Sequence, residues 1–472
     1  MTPPRHVALV AHSFPPDGAA GVEQYTCRLA HAVQAQGVRA TVVCGRVRAG
    51  APQNAVLRET IGGLDVWGLV QNYPYRDLPE AAQDAALDRV FGEVLDEIAP
   101  DLVAIQSLQG LSWGFPAVAR ARGLDVVMHL HDAYASCSSG GQRLHPDGDL
   151  CLPVDPRRCG DCFDRHRHRE GPLERASRWA ARNLPAGVPP DALHRAFGAL
   201  PPRVRDSLKV VNERATSARV FGLGLGSAVR VSRRDAVDPR IQARQAVVRE
   251  ALTHVRRVIS PSAFLAESVA ADGTELGDVA VVPTGVPAMK RAPLRDGAGS
   301  PLKVLWLGTW VTHKGPHVLA EALTHLTDDE AEQVEARAVG PAPFPAYREE
   351  VQRLANGRLH VGGPVSAESV YRLLADHDVV VVPSIWAENA PLVALEARAV
   401  GRPVLASDLG GLVELVKDGT DGRRFPAGDA KALAILLQEL LEPGRLEELT
   451  RSVRPPPSEV SWASAIFQAW AR

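Results

Sequence analysis

Short, unbroken apolar runs, rich in β-branched residues, recur along the chain, and most are followed by a stretch whose apolar positions repeat at helical spacing. HVALVA precedes a predicted helix over residues 21–36, and ATVVCG comes next. LVAIQS precedes a helix over about 113–122, then VVMHLH. Later, VISPSAFLAESVA and VAVVPTGV read as strand, helix and strand. Strands buried on both faces lack polar alternation, so this rhythm predicts parallel sheets covered by helices. It restarts at KVLWLG, after a segment (residues 291–301) whose proline, glycine and charge mark a linker. Beyond it come a helix from Lys314, ARAVG, a helix over 347–354, LHVGG, a helix from Ser366, DVVVVPS, a further helix, PVLAS and two last helices. The expectation is α/β: two Rossmann-like, doubly wound domains, with ligands bound beyond the carboxyl ends of the strands. The first spans 1–290, with a cysteine-rich and helical insertion at about 133–250, and the second 302–455. After a proline break, Trp462, Ile466, Phe467 and Trp470 share one helical face. Residues 456–472 are therefore expected to form a helix that crosses back onto the first domain.

Composition alters this picture little. With 472 residues, 45% hydrophobic and 23% charged, the chain can bury two full cores and reads as an ordinary globular protein. It has no apolar run long enough to span a bilayer, and its start lacks the charged-then-apolar order of a signal peptide, so a cytoplasmic location is expected. Charge is unevenly placed. Residues 157–257 hold 22 Lys+Arg against 10 Asp+Glu, a net of +12 in a chain of net −2. That segment suits an anionic acceptor or peripheral contact with an anionic inner-membrane face, a solvated arginine-rich helix being the alternative. No nucleic-acid partner is expected.

The chemistry concentrates in PSIWAENAPLVALEARAVGRPVLASDLGG. Glu388 falls on the loop at the end of a buried strand, with Asn389 a helix cap and Pro391 in the first turn. Glu396 lies more than a turn into that helix. Helix N–H groups between two carboxylates offer a place for an anion beside hydroxyls, which is what a nucleotide-sugar presents. In KVLWLGTWVTHKGPHVL, Gly308 opens a loop and Lys314 stands at a helix start, unfavourable for the helix dipole unless an anion joins it. The loop SFPPDGAAGVEQ leads into another helix start, and His131 ends the strand VVMHLH.

Together these segments resemble the retaining glycosyltransferases of family 4 (glycosyl transferases group 1), in the variant reading E-N-x-P. The resemblance implies a GT-B fold, with both domains facing a central cleft. It implies that Lys314 binds the donor diphosphate, with Thr309 where the family carries an arginine. Glu388 holds donor-sugar hydroxyls, Glu396 the nucleotide ribose, and His131 the sugar near the reacting centre. It further places Gly21, Gly308, Asn389, Ala390 and Leu392 along the nucleotide-sugar, and backbone near Val365 at the base. The reaction so implied is sugar transfer from a UDP- or GDP-sugar to a glycan, lipid-linked or small-molecule acceptor, with no metal required at the diphosphate. A sugar-nucleotide epimerase on the same fold and a non-catalytic nucleotide-sugar-binding protein are the alternatives.

Cys137, Cys151, Cys159 and Cys162 follow His131 with spacing C-x13-C-x7-C-x2-C. The close final pair is typical of tetrathiolate zinc. One structural zinc is expected, with reduced thiols as the alternative.

Overall fold

A computed structural model of the protein describes residues 4–18, 20–48, 50–72, 82–165, 235–293 and 301–471. The chain divides into two compact units. The first comprises Met1–Ser260, Ala266–Val281 and Phe467–Arg472, and the second Pro261–Leu265 and Val282–Ile466.

The first unit holds β1 (His6–Ala11), β2 (Arg39–Arg46), β3 (Val56–Ile61), β4 (Leu64–Val70), β5 (Leu102–Ile105), β6 (Asp125–His129), β7 (Arg257–Ser260) and β8 (Val279–Val281). They lie in the order β3-β4-β2-β1-β5-β6-β7-β8. All pairings are parallel except that of β3 with β4. This antiparallel edge departs from the parallel sheet expected. Ile61 pairs with Leu64 across Gly62-Gly63, both at positive φ, a two-residue turn that matches strand twist. β3 alternates between exposed and half-buried positions, as an edge strand does. β1 is buried throughout, the condition its unbroken apolar run anticipates. The helix after it, Gly21–Ala35, buries Tyr25, Leu29 and Val33 on one face.

In the second unit, β9 (Leu302–Leu307), β10 (Val334–Val339), β11 (Leu359–Gly362), β12 (Val379–Val382), β13 (Val404–Ser407) and β14 (Gly422–Phe425) form an all-parallel sheet in the order β11-β10-β9-β12-β13-β14. That is the doubly wound Rossmann order, and the chain reverses direction between β9 and β12, the switch point where such sheets bind ligands. Leu305, Val339, Leu374, Val380, Val404 and Leu412 fill its core, and Val365 packs on the rim. The last helix, Glu459–Ala471, has Trp462, Ile466 and Trp470 buried, and its final residues group with the first unit.

Candidate functional site

The loops that leave β9 and β12 meet at the switch point of the second unit. Strand pairing of Val304 with Val379 sets their separation, and the Ile385 N–H donates to the His313 carbonyl at 3.0 Å. After β9 the backbone makes one 3-10 turn, Thr312–Lys314, before the helix Pro316–Thr324. The helix thus starts two residues later than expected. Gly315 caps it at φ +70°, and a Cβ there would lie 1.8 Å from the Pro383 carbonyl oxygen. Only glycine lets the two loops approach this closely.

Lys314 and Glu388 are brought into an ion pair, Nζ to Oε1 at 2.7 Å. The same oxygen accepts from Ser384 Oγ at 2.8 Å and Trp386 Nε1 at 2.9 Å. The Lys314 ammonium also stands 5.1 Å from the Trp386 ring centroid. Glu388 is only 4% exposed, so three donors on one oxygen are what keep the buried carboxylate tolerable. The Lys314 side chain is 31% exposed, which leaves the cation within reach of a ligand. Ser384 and Trp386 were not singled out from the sequence. Both lie within four residues of Glu388, and a buried carboxylate with one lysine in range is the signal that asks for them.

The helix Leu392–Ala399 places Glu396 in its second turn, buried at 8% exposure. Asn389 is not its cap. Pro391 takes that position with extended backbone, and no side chain caps the helix. A proline at 391 cannot donate, and its ring holds residue 390 away from helical geometry, which pushes the helix start past Asn389. The loop is held instead by the turn after β13: Gly411 N–H donates to the Glu388 carbonyl at 2.6 Å, and Gly410, at φ +66°, packs on the backbone of residues 387–388. Gly308 donates from its N–H to Val339 and Thr309 is half-buried beside it. Ala390 and Leu392 are half-buried on the same loop and helix start. Lys314, Glu388, Gly308, Thr309, Asn389, Ala390, Leu392 and Glu396 therefore all fall on the elements that leave β9 and β12.

The first unit has its own polar cluster beyond β1, β5 and β6. His131 lies two residues past β6 and is half-buried. Gln106 donates its amide to the Ala104 carbonyl, so its oxygen must accept the Nε2–H of His131 at 3.2 Å. Burial holds the His131 pKa down to about 3, and the ring is neutral at ordinary pH. Behind it, Trp470 donates its indole N–H to His129 Nε2 at 3.1 Å. An indole only donates, so His129 must carry its proton on Nδ1 and give it to Tyr25 Oη at 3.1 Å. Tyr25 meets the His131 ring edge-on at 4.4 Å. His129 is fully enclosed, and burial holds its pKa well below the usual histidine range. Gly21 opens the helix after β1, facing open space. His12, which ends that strand's exit, was not marked in the sequence.

The expected zinc is not supported. Cys137, Cys151, Cys159 and Cys162 are free thiols, and among the described residues no group of three or more His, Cys, Asp or Glu side chains stands where it could hold a metal ion. The loop is tied down by hydrogen bonds. Asp272, almost fully buried, accepts from Ser136 Oγ at 2.6 Å, from the Val154 N–H at 2.7 Å and from Arg143, whose other amino group reaches Ser268. Arg244 adds bonds to the Tyr134 and Ala135 carbonyls. A carboxylate with three donors from one loop tethers that loop.

Of the basic segment 157–257, residues 166–234 lie outside the described residues. Among those described, Arg157 pairs with Asp155, Arg158 with Asp147 and Asp149, Arg240 with Asp164 and Asp238, and Arg257 with Asp278. No helix among the described residues is long and apolar enough to cross a membrane.

Residues 301–443 match the family model described as Glycosyl transferases group 1, and residues 19–191 match Glycosyltransferase Family 4. A D-inositol 3-phosphate glycosyltransferase of Xylanimonas cellulosilytica is 32% identical over 226 residues, 42% of this chain and 52% of that protein. A phosphatidyl-myo-inositol mannosyltransferase of Mycolicibacterium smegmatis is 34% identical over 173 residues, 36% of this chain and 44% of that protein. The chain spans about half the length of the curated relatives it matches. Among solved structures, HepE of Anabaena in complex with UDP and glucose superposes with a TM-score of 0.59 at 16% identity, covering 98% of this chain and 99% of that one. Sucrose-phosphate synthase of Thermosynechococcus elongatus gives 0.59 at 18% identity, covering 98% and 95%. The fold is GT-B.

Proposed function

We propose that this GT-B chain, with a glycosyltransferase family domain in each half, moves a sugar from a nucleotide-diphosphate-sugar to a hydroxyl-bearing acceptor with retention of configuration. The observation that carries the reading is the Lys314–Glu388 pair at the β9/β12 switch point, a cation and a carboxylate held by loops that Gly315 allows to touch. A donor needs both: a cation for the diphosphate and an acceptor for sugar hydroxyls. In this reading Lys314, the hydroxyl of Thr309 and backbone at Gly308 and Leu392 stabilise the departing diphosphate. One such preorganised donor contributes about 2.7–4 kcal/mol to the transition state. Glu388, with Asn389 and Ala390, takes the sugar, Glu396 the ribose, and the segment at Val365 the base. His131 and Gly21 belong to the sugar and acceptor side, with His131 neutral and able to hydrogen-bond without adding charge. Lys314 supplies the positive charge at the diphosphate, so no metal is part of the scheme.

The relatives' names, with inositol phosphate and phosphatidyl-myo-inositol, favour a polyol or a lipid-linked polyol as acceptor. The neighbour solved with UDP and glucose favours a UDP-sugar among UDP- and GDP-donors. A cytoplasmic location, with the basic segment touching an anionic membrane face, completes the reading. The test is an assay of nucleotide release and product anomeric configuration with UDP- and GDP-sugars, with and without polyol acceptors. Acceptor-dependent release with a retained anomeric configuration supports the proposal. An epimerised nucleotide-sugar formed without acceptor, or no turnover with any donor, sinks it.

A further inference from the structure

Around the β9/β12 switch point the backbone of both charged residues is clamped. The Glu388 N–H donates to the Trp386 carbonyl at 3.0 Å, and its own carbonyl accepts from Gly411 at 2.6 Å. Gly410 packs so closely that an added Cβ would lie 2.5 Å from the Glu388 carbonyl oxygen. The Lys314 carbonyl accepts the Trp306 indole N–H at 3.3 Å, and its N–H donates to Val311 at 3.1 Å. Backbone clamps leave the side chains free. Glutamate and lysine sample several rotamers, and ordering them on each encounter costs entropy that weakens binding. A site that holds both charged tips in place beforehand avoids that cost.

Trp386 touches both tips. Its Nε1–H donates to Glu388 Oε1 at 2.9 Å, and its ring centroid lies 5.1 Å from Lys314 Nζ. An indole has one donor and no acceptor, so the direction of the first bond is fixed. The second contact is the attraction of an ammonium for an aromatic face. Edge and face belong to one flat ring with little freedom of its own, so the carboxylate and the ammonium are placed relative to each other as well as to the backbone.

The ring is itself held. The His313 ring meets it edge-on, with centroids 5.1 Å apart and planes at 68°, and the Ile385 N–H ties the preceding residue to the His313 carbonyl. The hydrogen bonds to the Glu388 carboxylate, from Lys314, from the buried Ser384 hydroxyl and from Trp386, all end on Oε1. Oε2 keeps its acceptor capacity. A carboxylate anchored by one oxygen presents the other at a fixed place, which suits a single hydroxyl hydrogen.

We infer that Trp386 is a positioning residue with two separable tasks: its indole N–H aims Glu388 so that Oε2 accepts one sugar hydroxyl, and its ring face holds the Lys314 ammonium for the diphosphate. The inference rests on the donor reading above and goes beyond it, because it makes the preference for a nucleotide-sugar over the bare nucleotide depend on the indole N–H. Trp386→Phe keeps a ring face and lacks the N–H, whereas Trp386→Leu lacks both. Calorimetric titration of the full chain with UDP, GDP and their glucose and mannose conjugates separates the two tasks. With Trp386→Phe, binding of the bare nucleotide is kept and binding of the nucleotide-sugar falls about tenfold or more. With Trp386→Leu, binding of the bare nucleotide also falls, about two- to fivefold. In the Glu388→Gln background, Trp386→Phe brings no further sugar-specific loss, a result that a merely structural tryptophan does not produce. Replacing the indole at 386 with its sulfur isostere, benzothienylalanine, preserves ring shape and removes only the N–H, so it carries the same test if Trp386→Phe fails to fold. Equal losses for nucleotide and nucleotide-sugar in the isostere, the same sugar-specific penalty in both Glu388 backgrounds, or an isostere with wild-type sugar preference overturns the inference while donor binding by the wild type stands. A wild type that binds none of these ligands removes the donor reading and this inference with it.

Discussion

Lys314→Met removes the ammonium and keeps most of the side chain's length. At 2.7 Å and an effective dielectric of about 20, the gross attraction to Glu388 is about 6 kcal/mol. Most of it is offset by the desolvation of Glu388, and the partial exposure of Lys314 discounts it further. Ser384 and Trp386 still donate to the carboxylate in the variant, so Glu388 is not left bare. The net cost to the second unit is then about 2 kcal/mol, between the values for exposed and fully buried pairs. A double-mutant cycle isolates it. In the Glu388→Gln background the carboxylate charge is gone, and Lys314→Met costs about 0.5 kcal/mol or less. Turnover behaves differently. It falls about two to three orders of magnitude with Lys314→Met alone, because the lost interaction is with the leaving diphosphate. Denaturation followed by circular dichroism gives the first quantity and nucleotide release the second. An equal stability cost in both backgrounds refutes the coupling, and near-normal turnover refutes the assignment of Lys314 to the donor.

Gly315→Ala forces a Cβ against the Pro383 carbonyl at a left-handed backbone position, and is expected to cost about 2 kcal/mol or more and to impair donor binding together with stability; an unchanged melting temperature contradicts it. Acid should destabilise the protein earlier than its carboxylates alone predict. His129, His131 (to about 3) and His317 (to about 4) have pKa values depressed by burial, so between the unfolded value of about 6.5 and the folded values the unfolded chain binds more protons, and stability falls as pH falls through that window. Denaturation midpoints flat from pH 7 to 4.5 would argue against it. Trp470→Phe keeps an aromatic side chain but leaves His129 Nε2 without its donor, at a cost of about 1–3 kcal/mol; 15N spectra should then show His129 as a mixture of tautomers, and a single unchanged tautomer speaks against the hydrogen bond from His129 to Tyr25.

The strand–helix rhythm made most of the second unit legible because β12 and β13 are buried throughout and β9 and β10 stay mostly apolar despite Lys303, Glu335 and Arg337. β14 escaped because GRRF holds two arginines, whose charges are answered by Glu439 and Asp408 rather than by solvent. The β3–β4 hairpin was readable at Gly62-Gly63, flanked by apolar residues, but an edge strand's alternation is weaker than a central strand's unbroken run. Lys314 was legible as a charge at a helix start and Glu388 as a carboxylate on the loop after a buried strand. Their pairing was not, since they are far apart in sequence and only the β9–β12 neighbour relation joins them. The cysteine spacing could not reveal Asp272, because spacing reports proximity along the chain. Asp272, far beyond those cysteines in sequence, is what gathers the loop.

The central claim is that a nucleotide-sugar binds at the β9/β12 switch point through Lys314 and Glu388. Thermal shift of the wild type, Lys314→Met and Glu388→Gln against a panel of UDP- and GDP-sugars tests it most directly. One donor at 100 times its dissociation constant should add about 2.7 kcal/mol to the wild type, and much less to either variant. No stabilisation of the wild type by any donor, or equal stabilisation of all three proteins, would contradict the account.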